Sequence, residues 1–145
     1  MKFKKTMDKS EILKFISEQK TAFIGSVNDE GYPVIRAMLA PRVIKGNDIY
    51  FSTNTSSSKV KQFLDNPKAC VYFYKRGRFK YQGAAITGEM QVCTDQPTKD
   101  LIWRFGDSMF YKKGVTDPDY CVLKFTCEKA EYYCDLKLEK IEFDK

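Results

Sequence analysis

Residues 21–39 read TAFIGSVNDEGYPVIRAML, and this stretch decides the fold that the sequence predicts. Thr21–Val27 is short and mostly apolar, and Pro33–Leu39 has the pattern of a returning strand. Between them, Asn28-Asp29-Glu30-Gly31 has the composition of a tight turn, because glycine adopts positive φ angles without steric cost. The stretch therefore predicts an antiparallel β-hairpin.

More short strands and three helices are predicted outside this hairpin. The predicted strands are Val43-Ile44, Ile49–Thr53, Ala69–Tyr74, Phe79–Val92, Cys121–Phe125, Glu131–Leu136 and a short Ile141–Phe143. The predicted helices start at Asp8 with a capping box at Glu11, run over about Ser57–Asp65, and extend from Asp95 to about Phe105. Strands and helices do not alternate regularly. We therefore predict a mainly β, antiparallel barrel with short helices, as a single domain over residues 1–145.

Apolar spacing also predicts which helical side chains face the core. On the second helix these are Val60, Phe63 and Leu64. The third helix carries the apolar residues Leu101, Ile102 and Phe105.

Histidine is absent from the 145 residues. This excludes Ser-His-Asp and Cys-His catalysis, imidazole-bound metals and haem held by histidine. Acid–base chemistry near neutral pH would therefore need a shifted carboxylate, thiol or lysine, or a bound cofactor.

The net charge is +6, from 25 Lys and Arg against 19 Asp and Glu. This excess suits an anionic partner, and a lysine-rich solvated surface is the alternative interpretation. The five cysteines show no CxxC spacing, so no metal site is predicted. No apolar run approaches transmembrane length and no signal-peptide core follows the basic start, so we expect a cytoplasmic protein in a reducing compartment, without membrane contact.

Arg36 is a charge within an apolar strand. Alternation places Val34, Arg36 and Met38 on one face and Ile35, Ala37 and Leu39 on the other. A half-buried charge needs a partner, which could be a carboxylate in a structural ion pair or a bound anion such as phosphate.

A polar loop leads from Ser52-Thr53 to Ser57-Ser58-Lys59 at the predicted start of the second helix. Hydroxyls, a lysine and free helical N–H groups together favour an anion. Simple capping of the helix by Ser56 or Ser57 is the alternative. The loop lacks the glycines of a Walker motif, so no nucleoside triphosphate site is indicated.

Small residues interrupt the strand around Gln82, notably Gly83 and Gly88. They would leave room for a flat ligand, or they would allow tight sheet packing or a dimer contact.

The order of these segments resembles the pyridoxamine 5′-phosphate oxidase-like FMN-binding proteins, most of all the short members related to general stress protein 26. The segments that carry this resemblance are Ala22-Phe23-Ile24, Gly31-Tyr32-Pro33, Arg36-Ala37-Met38, Ile49-Tyr50-Phe51-Ser52-Thr53, Ser57-Ser58-Lys59, Asn66-Pro67, the strand ending at Gly88, and Ala130-Glu131-Tyr132.

The resemblance implies an FMN-binding split β-barrel that forms a homodimer with flavin at the interface. It assigns Arg36 and Lys59 to the FMN phosphate, with hydrogen bonds from Thr53, Ser57 and Ser58. It places Ala37, Met38 and Leu39 along the isoalloxazine ring, Ser52 near it, and Gln82 or Gly83 against it from the next strand. Trp103 would be a core anchor or would line the partner's flavin pocket.

The expected function is an FMN-dependent oxidoreductase acting on a small molecule, with no catalytic acid or base identified. The Arg-x-His element of the true oxidases is absent, and Ser58 stands where they often have arginine, so oxidation of vitamin B6 phosphates is not expected. The alternatives are a non-catalytic flavin-binding or sensor module, a deazaflavin-using reductase, and a nucleic-acid binder using the basic stretch Lys75–Lys80 with Phe79. The main interpretation includes no nucleic-acid partner.

Overall fold

The fold is built from eight strands and three helices in a computed structural model that describes residues 7–143. In chain order, the elements are α1 (Lys9–Ser17), β1 (Thr21–Val27), β2 (Pro33–Leu39), β3 (Val43–Lys45), β4 (Asp48–Asn54), α2 (Ser58–Asp65), β5 (Lys68–Arg76), β6 (Tyr81–Cys93), α3 (Gln96–Ile102), β7 (Tyr120–Cys134) and β8 (Lys137–Glu142). Two single-turn 3₁₀ segments, Asp107–Met109 and Gly114–Thr116, lie between α3 and β7.

The predicted hairpin is confirmed as β1 and β2. The strands pair antiparallel from Thr21 opposite Leu39 to Val27 opposite Pro33. Asn28 closes the turn, because its side-chain oxygen accepts from the backbone N–H groups of Glu30 (3.0 Å) and Tyr32 (2.9 Å). Gly31 has a φ of +86°, which is the conformation that favours glycine.

All strand pairs are antiparallel, and the sheet follows the order β2-β1-β5-β6-β7-β4-β3. The fifteen-residue β7 pairs with β6 on one edge and with both β4 and β8 on the other. A register shift in β6 at Thr87/Gly88 marks a bulge, which bends and twists a strand. The sheet is not closed, so the mainly β antiparallel prediction is confirmed in the form of a split barrel.

The main core lies against the inward face of this sheet. Helix α1 contributes Ile12, Phe15 and Ile16, and α2 contributes Val60 and Phe63. A second, smaller cluster lies beneath α3 and consists of Tyr50, Cys93, Ile102, Tyr120 and Val122. No helix within residues 7–143 is long and apolar enough to cross a membrane.

Several predicted boundaries are wrong at the ends of elements. The strands predicted at Cys121–Phe125 and Glu131–Leu136 form the single strand β7. It ends at Cys134 because Asp135 and Leu136 adopt positive φ angles in the turn to β8, which starts four residues before the predicted Ile141. Such angles are uncommon outside glycine, so the local pattern did not indicate a turn there.

The predicted inner face of α2 and the predicted end of α3 also need correction. Helix α3 ends at Ile102, because Trp103 is extended and the N–H of Arg104 donates to the carboxylate of Asp107 (2.9 Å). Leu64, which we expected to face the core, is exposed in the structure, and so are Leu101 and Phe105 of the predicted third helix.

Candidate functional site

Arg36 lies in the middle of β2 on its inward face, with neutral partners. Its guanidinium donates to the carbonyl of Ile24 (3.1 Å), the hydroxyl of Ser26 (2.8 Å) and the side-chain oxygen of Gln62 (3.1 Å). Within residues 7–143 it forms no ion pair, so the structural ion-pair alternative is wrong there. Burial lowers the pKa of Arg36, because desolvation penalises the charged form.

Lys59 lies in the first turn of α2 and is half-buried beside Arg36. Burial lowers its pKa first, and the positive charge of Arg36 lowers it further. In the described part of the chain, Lys59 makes neither an ion pair nor a side-chain hydrogen bond. Two desolvated like charges destabilise each other, so this arrangement gains stability from an anion placed between them.

Ser57 is the N-cap residue of α2 by position, but it does not cap the helix. Its backbone is extended and its side chain makes no bond to the first helical turn. The Ser57 hydroxyl oxygen is buried and has no hydrogen-bond partner in the part of the chain that the structure describes. An N-cap serine ordinarily accepts from a first-turn N–H. The capping interpretation of the sequence is therefore wrong for Ser57, whose hydroxyl remains available to a ligand.

The other polar side chains of this loop already have protein partners. Asn54 donates to the Ser56 hydroxyl (2.9 Å), and the Thr55 hydroxyl donates to the carbonyl of Pro118 (3.0 Å). Ser56 therefore does not cap the helix through a bond that the structure shows. Of the two capping candidates, only Ser57 has a hydroxyl without a hydrogen-bond partner in the described part of the chain.

The remaining predicted phosphate and ring residues are distributed over two faces. Thr53 is buried and Ser52 half-buried on β4, while Ser58 is exposed at the first position of α2. On β2, Met38 shares the inward face with Arg36. Ala37 and Leu39 lie on the opposite, exposed face, as the alternation predicted.

Neighbouring atoms of the same chain leave no room for a side chain at Gly83 and Gly88. A Cβ atom at Gly83 would clash with the hydroxyl of Tyr72, and one at Gly88 would clash with the carbonyl oxygen of Thr126. These contacts support the tight-packing alternative at both glycines. Gln82 is half-buried and lines a cleft of about 310 Å³ beside Cys134. A flavin contact at Gln82 or Gly83 stays a prediction.

Trp103 packs against the aromatic side chains of the smaller core cluster. Its ring meets Tyr120 edge-on at 5.0 Å and lies tilted 6.2 Å from Tyr111. This packing is what the core-anchor interpretation predicts. A contact from Trp103 to a partner's flavin stays a prediction.

Two residues of the site, Ser26 and Gln62, were not predicted from the sequence. Gln62 accepts hydrogen bonds from both Arg36 and Ser26, and so joins α2 to β1 and β2. Its position three residues after Lys59 puts it on the same helical face, which was an available signal. Ser26 follows Ala22 and Ile24 at two-residue intervals on β1 and therefore lies on the same buried face, so its inward position could also have been read from the pattern.

The open antiparallel barrel places this chain among the split-barrel proteins. The two half-buried cations near the start of α2 form a candidate anion site in that fold. The profile of the family described as pyridoxamine 5′-phosphate oxidase matches residues 8–134. The chain belongs to this family.

Solved structures give the same result. A protein from Clostridium acetobutylicum, related to general stress protein 26 of Bacillus subtilis, is 32% identical with a TM-score of 0.79, over 93% of this chain and 94% of the other. General stress protein 26 from Bacillus anthracis is 18% identical with a TM-score of 0.74, over 92% and 96%.

A third structure, a pyridoxamine 5′-phosphate oxidase-related, FMN binding protein from Nostoc punctiforme, is 16% identical with a TM-score of 0.70, over 86% and 82% of the two chains. The last two likenesses show the fold alone. A comparison with curated proteins finds no match.

Proposed function

We propose that this chain is a flavoprotein that binds FMN, with the phosphate held by Arg36, Lys59 and Ser57. The proposal rests on two half-buried cations, Arg36 and Lys59, that form no ion pair within residues 7–143, and on the buried Ser57 hydroxyl, which has no hydrogen-bond partner among the same residues. A phosphate needs both positive charge and hydrogen-bond donors, and this donor set supplies them. The family membership and the FMN-binding relative support the choice of FMN.

The proposed activity is that of an oxidoreductase acting on a small molecule. FMN, when bound, supplies transfer of hydride or electrons through its isoalloxazine ring. The chain's own contribution is to bind and orient the cofactor. Arg36 is held in place by Ser26 and Gln62, so its guanidinium is oriented before any ligand arrives.

We also propose that two copies of the chain form a homodimer. The exposed face of β2 carries Ile35 (67% exposed) and Leu39 (79% exposed), and large apolar side chains also protrude after α3. These protruding residues are Phe105, Met109 and Phe110. Exposed apolar groups of this size support an interface with another molecule. All five cysteines are free thiols, which supports a reducing compartment such as the cytoplasm.

The test is the visible spectrum of the purified protein, followed by release and identification of its chromophore. We expect a yellow protein that releases FMN. Arg36→Ala and Lys59→Ala should each weaken FMN binding at least about tenfold, the scale of a charge-assisted hydrogen bond. Lys61→Ala is the matched control, because Lys61 is an exposed lysine of the same helix paired with Asp65 (3.0 Å).

Other results would contradict the proposal. A colourless protein that does not take up FMN at micromolar concentration would overturn the cofactor assignment. Unchanged affinity in the Arg36 and Lys59 variants would overturn the phosphate assignment. A chain that stays monomeric at every accessible concentration would overturn the dimer.

A further inference from the structure

We propose that Asp119 is a positioning residue that clamps the loop 54–57, and so determines how strongly the site prefers FMN to riboflavin. The inference rests on the proposed phosphate site. Asp119 touches none of the proposed phosphate-binding side chains through a hydrogen bond that the structure shows. It acts through the backbone of the loop that presents Ser57.

Three hydrogen bonds fasten the loop to the turn before β7. The carboxylate of Asp119 accepts from the N–H of Ser56 (2.9 Å), and the carbonyl of Asp119 accepts from the N–H of Thr55 (2.7 Å). The hydroxyl of Thr55 donates to the carbonyl of Pro118 (3.0 Å). These bonds hold the two residues immediately before Ser57, across a separation of more than 60 positions in the chain.

The clamp explains why the Ser57 hydroxyl stays free. Ser57 has the extended backbone of an N-cap residue, and its side chain would ordinarily bond to the first turn of α2. A loop released from Asp119 could relax until the serine made that bond. The hydroxyl would then compete with a phosphate for the same first-turn N–H groups.

The turn that carries Asp119 is itself anchored in the interior. Lys99 is only 5% exposed, and its ammonium donates to the carbonyl of Asp117 (2.9 Å) and lies 5.7 Å from the centre of the Tyr120 ring. The carboxylate of Asp117 accepts from the N–H groups of Asp119 (2.9 Å) and Lys113 (3.2 Å). Bonds in series thus connect buried Lys99 to the loop beside the proposed phosphate.

The test compares the dissociation constants of FMN and riboflavin, which differ only by the phosphate, in wild type and Asp119→Ala. We expect the variant to bind FMN about fivefold to tenfold more weakly and riboflavin within about twofold of wild type, the scale of one lost hydrogen bond. Removing a negative charge near a phosphate would by itself strengthen FMN binding. A loss therefore has the opposite sign to a simple charge effect.

Three variants complete the design. Asp119→Asn keeps an oxygen that can accept from Ser56 and should restore the preference for FMN. Thr55→Val removes the hydroxyl bonds to Pro118 and to the Cys121 thiol but keeps the bond from the Thr55 N–H to Asp119. It should reduce the preference in the same direction, and it replaces Asp119→Ala as the test if that variant fails to fold. Asp100→Ala, at an exposed aspartate on α3, is the matched control.

The outcomes separate this inference from the proposed function. An unchanged FMN-to-riboflavin ratio in Asp119→Ala and Thr55→Val would overturn the inference, and so would an equal loss for both ligands, which marks a general structural role. If Arg36→Ala loses the preference while these variants keep it, the phosphate site stands and the clamp does not. A wild type without preference for FMN would overturn both.

Discussion

At the scale of the residue, the decisive property of the site is charge without a counter-charge. Arg36 and Lys59 are both half-buried, and each has a lowered pKa because desolvation penalises its charged form. The chain could have neutralised them with a carboxylate, but the partners of Arg36 in residues 7–143 are a carbonyl, a hydroxyl and an amide. Without a carboxylate partner the two charges make the ligand-free protein less stable than an ion pair would, and an anionic ligand compensates for this.

Because the pKa of Lys59 is lowered, we predict that FMN affinity decreases at alkaline pH. The free protein loses the Lys59 proton at a lower pH than an exposed lysine would, whereas a bound phosphate favours the charged form. FMN affinity should therefore fall as the pH rises through the lowered pKa of Lys59 toward the usual lysine range, with proton uptake on binding. Titration of FMN across this range in wild type and in Lys59→Arg measures the effect.

The arginine variant is informative because a guanidinium keeps its proton throughout this range. Lys59→Arg should bind FMN at neutral pH and lose less affinity on the alkaline side. An alkaline decrease of the same size in both proteins would assign the effect to another group.

At the scale of the element, helix α2 carries both the core contact and the site. Val60 and Phe63 pack into the main cluster, while Lys59 and Gln62 face β1 and β2. Spacings of three and four residues put each pair on one face of a helix. The packing of Phe63 thus supports the orientation of the polar side chains beside it.

This division predicts unequal effects of two neighbouring substitutions. Phe63 is 2% exposed and Leu64 is 67% exposed. Phe63→Ala should lower the free energy of unfolding by about 3 kcal/mol through cavity formation, whereas Leu64→Ala should change it by less than about 0.5 kcal/mol. Urea unfolding of both variants provides the comparison. Similar losses in the two would show that Leu64 is covered, for example by a second copy of the chain.

At the scale of the whole molecule, one ion pair connects the chain after β2 to the segment after α3. Arg42 and Asp107 pair through two hydrogen bonds, with side chains 15% and 10% exposed. The same carboxylate accepts from the N–H of Arg104, and Arg104 donates to the carbonyl of Arg42 (3.2 Å). This network fixes the segment that carries the exposed Phe105, Met109 and Phe110.

Removing the charge at Asp107 should therefore destabilise the fold and change its acid sensitivity. The bond from Arg42 holds the pKa of Asp107 below its usual range. The pair's contribution is thus complete above the ordinary carboxyl pKa, and it is lost as the pH falls through the lowered pKa of the folded state. We expect Asp107→Asn to cost about 3 kcal/mol at neutral pH, with a smaller difference from wild type in acid.

Chemical unfolding at neutral and at acidic pH measures this difference. Glu128→Gln, at an exposed carboxylate of β7, is a control that should leave stability unchanged. A difference between Asp107→Asn and wild type that does not shrink in acid would show that packing, and not the charge, is what the variant loses.

The sequence by itself determined most of the strands, the β1–β2 hairpin and the residue types of the site. Alternation identified the strand face that Arg36 shares with Val34 and Met38, and the loop before α2 indicated Ser57 and Lys59, because these signals depend on neighbours a few residues apart. Only the tertiary structure decided that Arg36 has no carboxylate partner within residues 7–143, that Ser57 does not cap its helix, and that Asp119 holds the loop. These facts depend on contacts between segments far apart in the chain, and local periodicity specifies which face a residue occupies but not what lies opposite it.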